Sequence, residues 1–371
     1  MTASKTDEQL MLRALALARR GLYGAHPNPL VGAVLARGGR IIGEGWHREF
    51  GRAHAEINAI RSAKEPVKGA TLYVTLEPCS TQGKTGPCTA SIIAAGIKRV
   101  VIGAADPNPA NAGKAARILR AAGIEVSSGV LAAAARGLNP AFNKFMRTGL
   151  PYITLKAAQS ADGKIADHAG RSRWISSPQS RAYAHRLRAQ ADAVLAGINT
   201  VRADDPLLNV RGVRVARQPA VVVLDSGLNI PPKARVFQNE RVIIAAARGA
   251  APARIKKLRR DNVSILLLPP GRHGGVDLNA LLAELGRLGI AHILVEGGGR
   301  VLGSFISEGL FDRFMLFCSP LIIGGERSKN SVTWPDRLNG PGKLGINVGF
   351  KKISKVGPDL LIEVVKAGKE V

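Results

Sequence analysis

Hydrophobic and polar positions along this 371-residue chain fall into blocks that switch between a helical and a strand period. Glu8 to Arg20 carries apolar residues at Leu12, Leu15 and the Ala/Leu run between them, the spacing of a helix packed on one face, and Gly21 and Gly24 end it. His26-Pro27-Asn28-Pro29 reads as a rigid turn. Two strands follow, Leu30 to Leu35 and Ile41 to Trp46, joined by a hairpin turn at Gly38-Gly39. Beyond them the pattern predicts a helix over 53–63, a strand over 70–76, a helix from Cys88 to Ala95, a strand over 98–103, a helix over 111–122 and a short strand over 124–127. Residues 128–150 hold a Gly-Asn-Pro stretch and lead to Thr148-Gly149-Leu150-Pro151, which predicts a domain junction.

A second alternation begins after that junction. Strands are expected at 152–158, 193–196, 220–224, 242–247, 263–268 and 291–295, and helices at 177–190, 252–260 and 277–287, with a further helix from about Val301. Ser177-Pro178 supplies a cap and a first-turn proline. Both halves therefore belong to the α/β class. The expected domains are 1–149 and 150–371, in keeping with roughly 150 residues per domain.

Composition narrows the function classes. Hydrophobic residues make up 46%, enough for packed cores and against global disorder. Three cysteines supply no disulfide framework, which suits a reducing cytoplasm. Met1 to Arg20 lacks the apolar core of a signal peptide, and no apolar run approaches the roughly 18 residues of a membrane span. The formal charge of +26 is shared by both halves and has two readings, a nucleic-acid binder or an enzyme for phosphorylated small molecules in an arginine-rich organism. Aromatic residues are only 4%, so stacking platforms for single strands are scarce, and the second reading is preferred.

The candidate chemistry gathers in residues 54–88. His54-Ala55-Glu56 is followed by Thr75-Leu76-Glu77-Pro78-Cys79 and then Cys88. One imidazole and two thiolates form a donor set that zinc prefers, and three ligands leave a fourth position open, the catalytic pattern. Zinc lowers the pKa of bound water from roughly 16 to about 7. Glu56, two residues from His54, is placed to move a proton without occupying the metal. The spacing follows the H-x-E and P-C signature of zinc nucleobase deaminases, except that eight residues separate the cysteines instead of two. The alternative, two core cysteines and an unrelated histidine, fits poorly, because two of only three cysteines fall in the pattern and Pro78 precedes the first. His54 and Cys88 are expected at helix N-termini, whose positive partial charge favours thiolate and hydroxide.

Asn28 has two readings, an amide presented to a ring edge or plain turn chemistry. His47 and Lys84 are likewise open, between substrate contact and, respectively, a structural histidine and a solvated lysine. In the second half, Glu296-Gly297-Gly298-Gly299-Arg300 ends a strand and opens a helix, where glycines let backbone N–H groups approach a phosphate. It lacks the spacing and the downstream acidic residue of a Rossmann fingerprint, so nucleotide binding competes with a simple packing turn. Cys318, after an apolar strand, reads as core.

Taken together, His26-Pro27-Asn28-Pro29, His-Ala-Glu and Thr-Leu-Glu-Pro-Cys-Ser with its long insert resemble the bifunctional deaminase-reductases of riboflavin biosynthesis. Ser160-Ala161-Asp162-Gly163-Lys164, Arg173-Trp174-Ile175-Ser176-Ser177, Thr200-Val201 with Asp204-Asp205-Pro206, and Glu296-Gly297-Gly298 match the reductase half in order. Ala161 departs from that family's usual leucine, a change expected to affect packing only. The resemblance implies a cytidine-deaminase-like three-layer domain followed by a dihydrofolate-reductase-like α/β domain. It implies hydrolysis of the 2-amino group of 2,5-diamino-6-(5-phosphoribosylamino)pyrimidin-4(3H)-one, then NADPH-dependent reduction of the ribosyl chain to ribityl. By matched position, His54, Cys79 and Cys88 are zinc ligands, Glu56 is the acid–base residue, and Asn28, His47 and Lys84 touch substrate. Ala158, Trp174, Thr200, Asp204, Ser226 and Gly298, Gly299, Arg300, Val301, Leu302, Gly303 and Ser304 match NADP-contacting positions. Ser172, Arg188, Leu208, Arg211 and Glu296 match substrate positions, and the Arg188 and Arg211 guanidinium groups suit a 5′-phosphate. No side chain stands out as the acid for hydride transfer. The expected partners are the pyrimidine ribotide and further copies of the chain, as a homodimer or homotetramer, with no nucleic acid and no membrane. Two rivals compete with this reading: a polynucleotide deaminase, and a deaminase whose second domain only binds.

Overall fold

The long apolar runs form two separate sheets. A computed structural model describes residues 4–82, 86–109, 111–271, 274–334 and 345–367. Contacts divide the chain into two compact units, Met1–Gly149 and Leu150–Glu370.

The first unit runs α1 (Lys5–Ala18), β1 (Gly32–Arg37), β2 (Arg40–Trp46), α2 (Ala55–Ser62), β3 (Thr71–Leu76), α3 (Cys88–Ala94), β4 (Arg99–Ala104), α4 (Lys114–Ala121), β5 (Glu125–Ser128), α5 (Ala132–Gly137) and α6 (Pro140–Thr148). Ser4 caps α1 through a reciprocal bond with Asp7. Gly38 and Gly39, at φ +56° and +80°, make the tight β1–β2 hairpin, a turn that favours residues without a Cβ. The sheet order is β2-β1-β3-β4-β5. β1 is antiparallel to β2 and β3, whereas β3, β4 and β5 are parallel, with Leu72 opposite Val100. Leu10, Met11, Leu15 and Ala135 pack on one face, and Ala55, Ala59, Ile92 and Leu119 on the other, so helices sandwich the sheet in three layers. Each fully buried Leu or Ile contributes about 1.5–3 kcal/mol.

The junction stretch departs from expectation. Residues 132–148 are two helices where the sequence pattern predicted none. The Ala132–Ala135 run favours helix, and Pro140 occupies the first turn of α6, where its missing N–H costs nothing.

The second unit runs β6 (Tyr152–Gln159), β7 (Lys164–Ala166), α7 (Pro178–Arg188), β8 (Ala193–Gly197), α8 (Ile198–Asp204), β9 (Ala220–Leu224), β10 (Val242–Ala247), α9 (Pro252–Lys257), β11 (Val263–Leu268), α10 (Leu278–Arg287), β12 (His292–Val295), α11 (Gly299–Ser307), β13 (Arg313–Cys318), β14 (Lys329–Asn330), β15 (Val348–Val356) and β16 (Asp359–Lys366). Nine strands form a sheet ordered β11-β10-β9-β8-β12-β6-β13-β16-β15. The strands from β11 to β13 are parallel, and β16 and β15 add an antiparallel ribbon. That ribbon and the short helix α8 were not foreseen. α11 begins at Gly299 and not near Val301, because Gly298 serves as its N-cap. Cys318 is half-buried at the end of β13. Among the described residues no helix is long and apolar enough to cross a membrane.

Candidate active sites

The first site forms where two helices begin. His54 is the N-cap of α2, Cys88 opens α3, and Cys79 follows Pro78 just beyond β3. His54 Nδ1 lies 3.2 Å from Cys88 Sγ and 3.5 Å from Cys79 Sγ. All three donor atoms fall within 4.8 Å of one another. Tetrahedral zinc bonds of about 2.0 Å to nitrogen and 2.3 Å to sulfur place such atoms about 3.6 Å apart, so the donor set fits this ion. The Cys88 backbone N–H also donates to Cys79 Sγ at 3.2 Å. The Cys79 thiol is held down to about 4, first by its hydrogen bond with Cys88 and then by His54, while Cys88 is pushed up by the same bond and by burial. Two thiols sharing one proton in this way present the position that a divalent cation takes over.

Glu56 sits in the first turn of α2 with only 3% of its surface exposed. Burial raises its carboxyl above the ordinary carboxylate value, which suits a group that holds and returns a proton. Asn28 and His47 come together beside the donors. Asn28 Nδ2 lies 3.1 Å from His47 Nε2, and His47 Nδ1 lies 3.3 Å from the Ala53 carbonyl. That network assigns the Nδ1–H tautomer to His47, with Nε2 accepting from the amide. The His47 ring stands edge-on to His54 at 5.2 Å. Lys84 lies outside the described residues.

Two supports of this site have no reading in the sequence pattern. Glu77, in the middle of the Thr-Leu-Glu-Pro-Cys run, is buried, and its carboxylate accepts four backbone N–H groups. Asp106 and Gly113 donate at 3.2 and 3.0 Å, Ala115 and Ala116 at 3.1 and 3.4 Å. It therefore pins the backbone at Asp106 and Gly113 and the start of α4 beside Cys79. Asn58 donates to the Trp46 and Ala53 carbonyls at 2.9 and 3.1 Å and holds the segment that carries His47.

The second site lies at the carboxyl ends of β6, β8 and β12, where open α/β sheets receive ligands. Glu296 follows β12, and Arg188 ends α7. They meet in a bidentate pair at 2.6 and 2.9 Å, with side chains 10% and 13% exposed. Burial pushes Glu296 up, but the Arg188 charge and hydrogen bonds, and then Lys156, outweigh it and hold the carboxyl at about 2. Arg188 Nη1 donates to the Asn209 carbonyl at 3.0 Å. The guanidinium fork expected to face a phosphate is thus already engaged by Glu296, while Arg211 stays exposed. Leu208, beside Asn209, is buried with φ +58°. Lys156 on β6, which sequence reasoning passed over, is the cation near Glu296, and burial lowers its pKa.

The cofactor-matched residues divide into groups. A Cβ built on Gly298 would stand 3.6 Å from Thr200 Oγ1, so these two share one corner. At Gly299 a Cβ would meet the Asn330 carbonyl at 2.4 Å, and at Gly303 the Thr333 carbonyl at 2.0 Å, so close packing enforces both glycines. The Val301 and Leu302 N–H groups bond to the Gly298 carbonyl, and the Gly299 carbonyl accepts from the Thr333 N–H at 3.0 Å. Leu302 is core, and Ser304 Oγ donates back to the Arg300 carbonyl. Ala158 packs on the apolar cluster around Phe317. Ser172 and Trp174 lie between β7 and α7, with Trp174 exposed under the Arg181 guanidinium at 4.4 Å. The Asp204 carbonyl accepts from Arg173 at 3.3 Å, and Ser226 follows β9.

A half-buried His/Cys/Cys cluster with its buried acid–base carboxylate, followed by an α/β unit with a glycine-opened helix beside buried ionic groups, defines a two-domain enzyme, a zinc-type deaminase joined to a reductase. Residues 4–104 match the cytidine and deoxycytidylate deaminase zinc-binding region, and residues 151–362 match the RibD C-terminal domain. The riboflavin biosynthesis protein RibD of Aquifex aeolicus is 44% identical over 96% of this chain and 97% of its own length. That of Escherichia coli is 41% identical over 97% of this chain and 100% of its own. Among solved structures, Acinetobacter baumannii RibD superimposes with a TM-score of 0.87 at 35% identity, covering 97% of this chain and 99% of that one. A diaminohydroxyphosphoribosylaminopyrimidine deaminase/5-amino-6-(5-phosphoribosylamino)uracil reductase from Thermotoga maritima gives 0.84 at 36% identity, covering 98% and 99%. The chain belongs to the RibD family of riboflavin-biosynthesis proteins. It is a bifunctional deaminase and reductase whose cofactors are zinc and NADPH.

Proposed function

We propose that residues 1–149 deaminate a 2,5-diaminopyrimidine ribotide and that residues 150–371 then reduce its ribosyl chain to ribityl. The observation that carries the first step is the convergence of His54, Cys79 and Cys88 beside buried Glu56. Zinc would be held by these three donors and would supply Lewis acidity to the reaction. Glu56 takes a proton from the attacking water and returns it to the departing amine, so that water adds at C2 and ammonia leaves. Asn28 and His47, fixed on one another, present polar atoms to the edge of the pyrimidine. Lys84 is assigned to the substrate by its place in the insert alone.

In the second step NADPH supplies the hydride, which goes to ribose C1′. Thr200 and the Gly298–Arg300 turn hold the cofactor phosphates, with Ala158, Trp174, Asp204, Ser226 and the rest of the 301–304 stretch completing the wall. Ser172, Leu208 and Arg211 hold the ribotide, with exposed Arg211 facing its phosphate. Arg188 acts by fixing Glu296 as a carboxylate. Lys156, an ammonium with a lowered pKa next to that carboxylate, stores the proton that ring opening requires at O4′. The working form is a homodimer or homotetramer in the cytoplasm.

A coupled assay on the full chain tests this reading. Ammonia release from the diaminopyrimidine ribotide without NADPH, and NADPH oxidation only once the deaminated ribotide has formed, are expected. Ammonia release from a tRNA or single-stranded DNA instead would replace it with the polynucleotide reading, and ammonia release without any NADPH oxidation would leave the second unit a binding module.

A further inference from the structure

The 208–211 loop carries two residues of the reductase substrate wall, and three side chains hold its backbone. Arg188 Nη1 donates to the Asn209 carbonyl at 3.0 Å. Gln218 takes both polar groups of Val210, accepting its N–H at 2.8 Å and donating to its carbonyl at 3.3 Å. The Arg211 N–H donates to His185 Nδ1 at 3.1 Å. His185 and Arg188 are three residues apart on α7, so one helix face grips the loop at two points. The loop needs gripping, since Leu208 holds a left-handed backbone, costly for a leucine. Within it, the Asn209 carboxamide oxygen is buried without a hydrogen-bond partner, an acceptor left for a ligand donor.

We propose that His185 is a positioning residue of the reductase: as neutral imidazole it accepts the Arg211 N–H and keeps the 208–211 loop in the shape that presents Arg211 and the backbone at Leu208, whose side chain is core, to the ribotide. The inference rests on the assignment of those two residues to substrate. Protonation puts a hydrogen on Nδ1, which removes the acceptor and turns the contact with the Arg211 N–H into a repulsion. The charged groups facing the ring are Arg188 on its own helix, Arg211 on the loop and Glu296 after β12. Burial, and then the two arginines, hold the imidazole below its ordinary pKa despite Glu296 and the Asn209 carbonyl, so the ring is neutral near pH 7 and the grip loosens on acidification.

The test is steady-state reduction of the ribotide by the full-length zinc-loaded enzyme at saturating NADPH, from about pH 8 down to about pH 5, a window that reaches well below the ordinary histidine pKa of about 6.5 because that of His185 is lowered. At the upper pH, His185→Ala is expected to raise KM about 5-fold with kcat little changed, the worth of one net hydrogen bond. His185→Gln, whose carboxamide oxygen accepts the same N–H without titrating, is expected to recover most of that loss. On acidification the wild-type KM should rise more than that of His185→Gln; titration of the ribotide phosphate is common to both and cancels in the comparison. Parallel pH profiles for these two proteins would overturn the proposal, as would a wild-type KM for His185→Ala. Arg211→Ala separates the layers. If it leaves KM unchanged, the substrate assignment of the loop fails. If it raises KM while His185→Ala does not, only the role of His185 fails.

Discussion

Glu77 offers the sharpest test of how the deaminase site is held together. Its two carboxylate oxygens accept N–H groups from Asp106, Gly113, Ala115 and Ala116 at 3.0 to 3.4 Å, and the side chain is buried between β3 and Cys79. Glu77→Gln preserves shape but replaces one oxygen with an NH₂ that faces two N–H donors. Hydrogen bonds to a charged group are worth about 1.5–3 kcal/mol each, and buried donors left unpaired cost about 1–3 kcal/mol. Two bonds lost, discounted because neighbouring terms do not add fully, give a loss of roughly 3–4 kcal/mol for the first unit. That is a large share of the 5–15 kcal/mol typical of a domain. The assay is differential scanning calorimetry of the zinc-loaded full chain, alongside zinc retention against a competing chelator. One transition should fall by well over 10 °C, because about 1 kcal/mol moves the midpoint of a 100- to 150-residue domain by roughly 4 °C. Zinc should dissociate more readily, because the loop beside Cys79 is released. An unchanged thermogram with wild-type zinc retention would refute the assignment of Glu77 as a pin.

Other expectations follow from the same geometry. Glu56→Ala should lower ammonia release by at least about 10²–10⁴-fold while zinc stays bound, checked by metal analysis of the variant; retained deamination would refute its role. Asp7 is buried and bonded to Arg99 at 2.8 and 3.1 Å and to the Tyr73 hydroxyl at 2.8 Å, and Arg99 above all holds its carboxyl far below the usual range. Its stabilisation is fully present above the unfolded carboxylate pKa of about 4 and is lost as pH falls through the lower folded value. Asp7→Asn should therefore cost roughly 3 kcal/mol at neutral pH and much less in strong acid, measured by denaturant unfolding at both pH values. Gly303→Ala places a Cβ 2.0 Å from the Thr333 carbonyl. It should destabilise the second unit by about 1–3 kcal/mol and raise the KM for NADPH, with ammonia release unaffected.

Some of this architecture is legible in the residues and some is not. The runs 220–224 and 242–247 coincide with β9 and β10, because an apolar strand between turn residues in a covered parallel sheet needs nothing else to announce it, and the run 263–268 coincides with β11, an edge strand that is nonetheless apolar in sequence. α5 and α6 escaped notice because Pro140 reads as a breaker unless it is known to fall in a first turn. β15 and β16 were hidden for a different reason. β15 is the sheet edge and mostly exposed, so it lacks the apolar alternation that marks a half-buried strand. The zinc donors and Glu56 were visible because their residue types and spacing are dictated by the metal. Asn28 with His47 was only half visible, since their bond spans 19 residues. The engagement of Arg188 by Glu296, 108 residues away, and the nearness of Lys156 to both depend on which strands become neighbours, and no local pattern records that.

The most direct measurement is a zinc titration of the metal-stripped full chain, with ammonia release from the diaminopyrimidine ribotide followed at each addition. Activity should rise in proportion to bound zinc and level off at about one ion per chain, with Cys79→Ser and Cys88→Ser failing to reach that plateau. Full ammonia release from zinc-free protein, or a plateau untouched by loss of either thiol, would contradict the account at its centre.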